Sequence, residues 1–274
     1  MKTASVFLVL ALSTTGLRAQ NPAPPGDLPG WKLTWHDEFD GEKLDTNTWN
    51  VMDAELKKNK ELQYYTPEDV YLENGHLVLR SQKRDMGTRH YTSGHVDTKN
   101  HFSQEYGRFE VRAKLPTTQG LWPAHWMLPE AGGWPPEIDI MEMIGKSPRR
   151  ILMTVHWREN GHPEHSGFSY VGPDYSADYH LFAVEWDPDR LTWFIDGVRR
   201  HMTKLHSPST PFYVILNTAV GGILPGNPDD TTVFPQYHSI DYVRVYQRPE
   251  RLQTNAAPTD PPPPTPAGRS SVRP

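Results

Sequence analysis

The chain has 274 residues, with 28 lysine and arginine residues against 33 aspartate and glutamate, a formal net charge of -5. That balance argues against nucleic acid as a partner. The chain contains no cysteine, so neither disulfides nor thiolate chemistry contributes and the fold rests on its apolar core.

Residues 1–19, MKTASVFLVLALSTTGLRA, carry an early lysine, an apolar stretch from Val6 to Leu12 and a terminal small residue, Ala19. They read as a cleaved signal peptide, which implies export to the periplasm or the extracellular space. The apolar stretch is too short to span a bilayer, and no later segment is long and apolar enough to do so. Residues 20–30 are expected to form a linker, and residues 249–274, rich in proline and poor in apolar side chains, a disordered tail. Between them, residues 31–248 have the length of one large all-β domain, expected to act as a monomer.

Several runs along this domain read as strands, rich in aromatic and β-branched residues. They are HLVLRSQ from His76, GRFEVRAKL from Gly107, LFAVEWD from Leu181, LTWFIDG from Leu191, FYVILNTAV from Phe212 and IDYVRVYQ from Ile240. In GRFEVRAKL, Phe109, Val111, Ala113 and Leu115 alternate with Arg108, Glu110, Arg112 and Lys114, the pattern of a half-buried strand. Turn signals punctuate the runs at Glu73-Asn74-Gly75, Asp187-Pro188-Asp189 and Asp196-Gly197. No window of helical length sustains a 3.6-residue period, so a sandwich of two antiparallel sheets is the expected architecture. Nine tryptophans and twelve tyrosines exceed what the core of such a sandwich readily uses, leaving aromatics to explain otherwise.

The stretch WPPEIDIMEMIG, Trp134 to Gly145, sets three carboxylates in an apolar run. In a plain strand Glu137 and Asp139 share one face and Glu142 falls on the other, in the core, where an unpaired carboxylate is costly. One extra residue near Met141, a β-bulge, returns Glu142 to the face of Glu137 and Asp139 and sends Met143 inward. Five steps of about 3.3 Å separate the glutamate Cα atoms by roughly 16 Å in a straight strand. Curvature and two long side chains leaning together bring the carboxyl groups toward the approximately 5–5.5 Å of retaining glycosidases. Spacing alone leaves a catalytic pair, a calcium site and a solvated acidic rim all open.

EIDIMEMIG resembles the active-site signature of glycoside hydrolase family 16 in the E-x-D-x-x-E form of laminarinase-like members. WHDEFDG, ELQYYTPEDVYLENGHLVL, YTSGHVDTK, YGRFEVRAKLP, GLWPAHWML, WFIDGV, FYVILNTAVGG and DYVRVYQ are similar to laminarinase segments in the same order. The resemblance implies a concave β-jelly roll and an endo-acting, retaining enzyme on β-1,3-linked glucan. Glu137 is then the nucleophile, Glu142 the general acid/base and Asp139 the assisting carboxylate, with no cofactor for catalysis.

A glucan chain offers apolar C–H faces rimmed by hydroxyls, which flat aromatic platforms with polar edges hold. By the same resemblance Trp122 and Trp126 line the subsites next to the scissile bond, and His156 stands near the acid/base. Asn217 and Gln236 lie in segments resembling sugar-contacting walls, and Trp134 is either a core or a cleft aromatic. Laminarinases often carry two asparagines before Glu-Leu-Gln; here Asn59 is followed by Lys60, which puts one sugar subsite in question. A structural calcium is implied at Glu38, the Gly75 carbonyl and Asp241, oxygen donors suited to a hard cation. HPEH, His162 to His165, reads as a polar loop, since no further ligand stands at metal spacing. Two other specificities on the same frame remain open, mixed-linkage β-1,3-1,4-glucan and a galactan such as agar or carrageenan, as does a glucan-binding protein without catalysis.

Overall fold

The structure, a computed structural model, describes residues 25–254. The expected signal peptide, the start of the linker and the tail beyond Thr254 lie outside the described residues. The strands are, in chain order, β1 (Lys32–Asp37), β2 (Asn50–Val51), β3 (Ala54–Glu55), β4 (Gln63–Tyr65), β5 (Val70–Glu73) and β6 (His76–Ser81). There follow β7 (Tyr91–Ser93), β8 (His95–Asp97), β9 (Gly107–Lys114), β10 (Leu121–Pro129), β11 (Glu137–Met143) and β12 (Arg150–Glu159). The last six are β13 (His162–Val171), β14 (His180–Asp187), β15 (Arg190–Ile195), β16 (Val198–Thr203), β17 (Phe212–Val220) and β18 (Gln236–Gln247).

Two large antiparallel sheets form a sandwich, as the sequence pattern predicts. The eight-stranded sheet runs β16-β15-β14-β9-β18-β6-β5, with β1 also on β18. The seven-stranded sheet runs β13-β12-β11-β10-β17-β8-β2, and a small three-stranded sheet, β3-β4-β7, includes one parallel pair. Between the large sheets Phe109, Val111, Phe182, Val184 and Trp193 meet Ile138, Met143, Ile151, Val155, Val214 and Leu216, all buried. Each such aliphatic or aromatic side chain taken from water stabilises the fold by roughly 1.5–3 kcal/mol. This core fixes the seven-stranded sheet so that the alternate residues of β10, β11 and β12 project from its outer face.

Four features differ from the sequence expectation. HPEH opens β13, the edge strand paired to β12 along its whole length, because ten consecutive residues of each strand are in register. The polar face of β9 is solvated only at its end, at Arg112 and Lys114. Arg108 and Glu110 are buried, since β9 is central in its sheet and Arg108 satisfies both Glu110 and Glu185, at 2.7 and 2.9 Å. At the C-terminus Pro249–Thr254 forms a short helix, α1, where the sequence suggests a tail from residue 249. Leu28 likewise bridges Trp31 within the expected linker. No helix of the described residues is long and apolar enough to cross a membrane.

Candidate active site

The register of β11 contains the irregularity that its sequence calls for. Against β12, Glu137 faces His156, Asp139 faces Thr154, and Glu142 faces Leu152, so three steps on β11 answer two on β12. Against β10 the shift falls between Met141 and Asp139, which makes Ile140 the residue in excess. Ile138, Ile140, Met141 and Met143 all enter the core. Glu137, Asp139 and Glu142 are thereby left together on the outer face, where all three line one cleft. The bulge is tied from behind: the Asp139 carbonyl accepts a hydrogen bond from the indole of Trp193, which reaches across the core from β15 at 2.8 Å. Gly145 ends the strand against the loop before β10; a Cβ there would lie 2.3 Å from the Thr118 carbonyl oxygen.

The cleft has a volume of about 840 Å³. Along β10 Trp122, Ala124, Trp126 and Leu128 face it, while Leu121, His125 and Met127 are buried. Each tryptophan named in the sequence is fastened to a polar group of the site. Trp122 Nε1 donates to Glu142 Oε1 at 2.9 Å, and Trp134 Nε1 donates to Glu137 Oε2 at 2.9 Å. Trp126 Nε1 donates to Asn217 Oδ1 at 2.8 Å, and Asn217 Nδ2 in turn donates to the Tyr65 hydroxyl at 2.8 Å. Trp134 is 48% exposed, so it is an aromatic of the cleft and not of the core. Its loop is held by Arg158, which donates to the Trp134 carbonyl at 3.0 Å.

Burial sets the protonation of the three acids. It raises Glu142 to about 7, against the pull of the Trp122 N–H and with a further push from Glu137. Asp139, 2% exposed and facing both glutamates, is raised well above the carboxylate range by burial first and by those two charges next. Glu137 is also raised by burial, but Asp139, Trp134 and Lys58 each favour its charged form. The arrangement therefore holds Glu137 as the most readily ionised acid, Asp139 as a neutral donor to it and Glu142 as a group that takes and gives a proton near neutrality.

His156 stands at the opposite end from the expected one. Its Nε2 lies 3.2 Å from Asp139 Oδ2 and 3.7 Å from Glu137 Oε1, because register places it across from Glu137 and not beside Glu142. Burial and the neighbouring His165 lower it to about 4, so it is a neutral imidazole at working pH. One atom each from Glu137, Asp139 and His156 lie within 4.8 Å of one another, a spacing a metal ion could also use.

Asn59 lines the cleft and donates to Glu61 Oε1 at 3.1 Å. Gln236 does not line it: it begins β18 in the other sheet, and its Oε1 accepts from the Thr117 backbone N–H at 3.2 Å. Lys60 is exposed in a turn at φ 57° and also stays outside, whereas Lys58 enters. The sequence reading did not single out Lys58, Glu61, Tyr65, His95, Ile223 or Leu224, which also line the cleft, and it read His165, which lines it too, as part of a polar loop. Glu61, Tyr65 and His95 fall within segments that carry the family resemblance; Ile223 and Leu224 are an apolar pair inside a turn-rich loop, Gly221 to Gly226, which is the only local signal for them.

The two carboxylates expected, with the Gly75 carbonyl, to hold calcium do not fit it. Both oxygens of Glu38 accept from Arg244, at 2.9 and 2.7 Å, and Asp241 is paired with Arg112 and lies 3.7 Å from His76. Guanidinium groups stand where a divalent ion would need free carboxylate oxygens.

The model of glycosyl hydrolases family 16 matches residues 57–244. A β-glucanase from Rhodothermus marinus is 37% identical over 246 residues, covering 80% of this chain and 86% of that protein. The glucan endo-1,3-β-glucosidase A1 of Niallia circulans is 34% identical over 270 residues, which cover 82% of this chain and 39% of that longer protein. Among solved structures, the laminarinase catalytic domain of Thermotoga maritima superposes with a TM-score of 0.75 at 39% identity, covering 80% of this chain and 99% of that one.

Proposed function

The chain belongs to glycosyl hydrolases family 16, and from that premise we propose an endo-β-1,3-glucanase that works by double displacement with retention. The observation that carries the reading is the bulge in β11, which brings Glu142 to the face of Glu137 while burial moves its proton affinity to about 7. Glu137 attacks the anomeric carbon as the bond to the leaving oxygen breaks, and Glu142 gives that oxygen its proton. The glycosyl ester on Glu137 is then opened by water, whose proton returns to Glu142. Asp139 donates to the Glu137 carboxylate, and Trp134 donates to its other edge. Trp122, Trp126 and Trp134 offer the faces on which sugars stack, and Asn217 fixes the plane of Trp126.

Reducing-sugar release from laminarin tests the activity, with barley mixed-linkage glucan and agarose alongside to separate the other specificities of the frame. Proton NMR of the first product tests the mechanism: a β-anomer is expected, and an initial α-anomer rules out double displacement. Export through residues 1–19 belongs to the same proposal; expression of the whole chain followed by N-terminal sequencing should find the mature protein starting near Gln20.

A further inference from the structure

The chemistry above uses the floor of the cleft, where one charged group of the wall contributes no more than its field on Glu137. Lys58 is the only lysine or arginine among the described residues that line the cleft. Its ammonium lies 4.7 Å from the centroid of the Trp126 ring. A cation resting on an exposed aromatic face is held weakly. It yields readily to a better partner.

A sugar that stacks on Trp126 takes the space in which the ammonium sits. The flexible lysine arm then moves to the rim of that sugar, where its hydroxyls and their substituents project. There an ammonium gains little from a neutral hydroxyl and much more from an oxyanion, because charge-assisted hydrogen bonds are about twice as strong. Everywhere else the cleft has the opposite sign. Glu61, Glu137, Asp139 and Glu142 line it, and His95 and His156, lowered to about 3 and about 4, add no positive charge near neutral pH. An anionic substituent therefore meets attraction at one position and repulsion at the others.

We propose that Lys58 forms an oxyanion subsite at Trp126, which admits a polysaccharide carrying a sulfate ester or a carboxylate on the sugar seated there and rejects the same group on the sugar over Trp122. This rests on the glucanase reading and narrows its substrate class. Lys58 is then the residue that lets the frame accept a decorated glycan in addition to a neutral one.

The test compares wild type and Lys58→Met on three oligosaccharides of one β-1,3-glucan backbone: neutral, sulfated at O6 of a single glucose, and oxidised to the carboxylate at C6 of that same single glucose. The ratio of kcat/KM for charged over neutral substrate should fall at least tenfold in the variant, with the sulfated and carboxylated arms showing which oxyanion is preferred. In the wild type, added salt should lower that ratio as well. Binding of the same three compounds to Glu137→Gln, with and without Lys58→Met, reads the preference independently of turnover. An unchanged ratio, or a wild type that neither binds nor cuts either charged compound, overturns the oxyanion subsite. Absence of turnover on every neutral glucan, with the binding preference intact, instead overturns the glucanase reading.

Discussion

On the outer face of the eight-stranded sheet, carboxylates meet guanidinium groups: Glu110 and Glu185 on Arg108, Asp241 on Arg112, and Glu38 on Arg244. On the outer face of the seven-stranded sheet Glu137, Asp139 and Glu142 are just as well buried, yet what they meet is two indole N–H groups and a neutral imidazole. A guanidinium cancels a charge and fixes it; an indole N–H orients a carboxylate and leaves its proton affinity free to rise. The same side-chain type thus serves as a brace on one sheet and as a reactive group on the other. Pairing makes the difference, since burial is common to both.

The largest expected effect falls on the unpaired side. Glu137→Ala and Glu142→Ala should each lower kcat/KM on laminarin by roughly 10³-fold or more, because each removes a group on which the bond change itself depends. Glu38→Gln on the paired side should leave kcat/KM at 25 °C unchanged. If substitutions on the two sheets cost activity alike, the contrast between the sheets is not functional.

The next effect is on stability and has opposite sign on the two sheets. Glu142 rises from 4.5 to about 7 on folding, so the unfolded chain gives up this proton first as pH increases. Its contribution is complete below the unfolded value and is lost as pH climbs through the folded one. Glu142→Gln keeps an acceptor for Trp122 without the charge, and should stabilise the protein by about 2–3 kcal/mol at pH 8 and by nothing measurable at pH 4. Activity of the wild type should fall as pH rises through about 7, where Glu142 loses the proton it must donate. Glu38→Gln should instead destabilise, by about 2 kcal/mol, because it leaves the half-buried Arg244 without its bidentate partner. Thermal melts at the two pH values check both substitutions, and a pH–rate profile of the wild type checks the activity.

Much of this contrast was written in the sequence, and the limits of that legibility have physical causes. The bulge could be read because a strict two-residue period would have driven Glu142 into the core, and the polypeptide resolves that conflict locally. The alternation in GRFEVRAKL correctly gave the inward face of β9. It could not reveal that Arg108 and Glu110 are covered on the outer face, because that depends on Glu185 arriving from β14, 77 residues away. His156 was located on the right strand but beside the wrong acid, since the sequence alone does not give the register that sets it across from Glu137. Lys58 escaped notice because nothing local marks it; it matters through Trp126 and Glu137, which come from β10 and β11.

The smallest expected effect separates two amides that the sequence alone does not distinguish. Asn217 holds the indole of Trp126 and is itself held by Tyr65, so Asn217→Ala should free the ring and raise KM on laminarin oligosaccharides by several-fold with kcat less affected. Gln236 accepts one backbone hydrogen bond from Thr117, outside the cleft and on the other sheet. Removing that bond should cost about 0.5–1 kcal/mol of stability and leave both kinetic constants within about twofold, the scatter ordinary for a surface substitution. A KM for Gln236→Ala that rose as far as that of Asn217→Ala would mean that the sugar chain reaches beyond the cleft toward β18, and that the division of labour between the two sheets is less complete than their charges suggest.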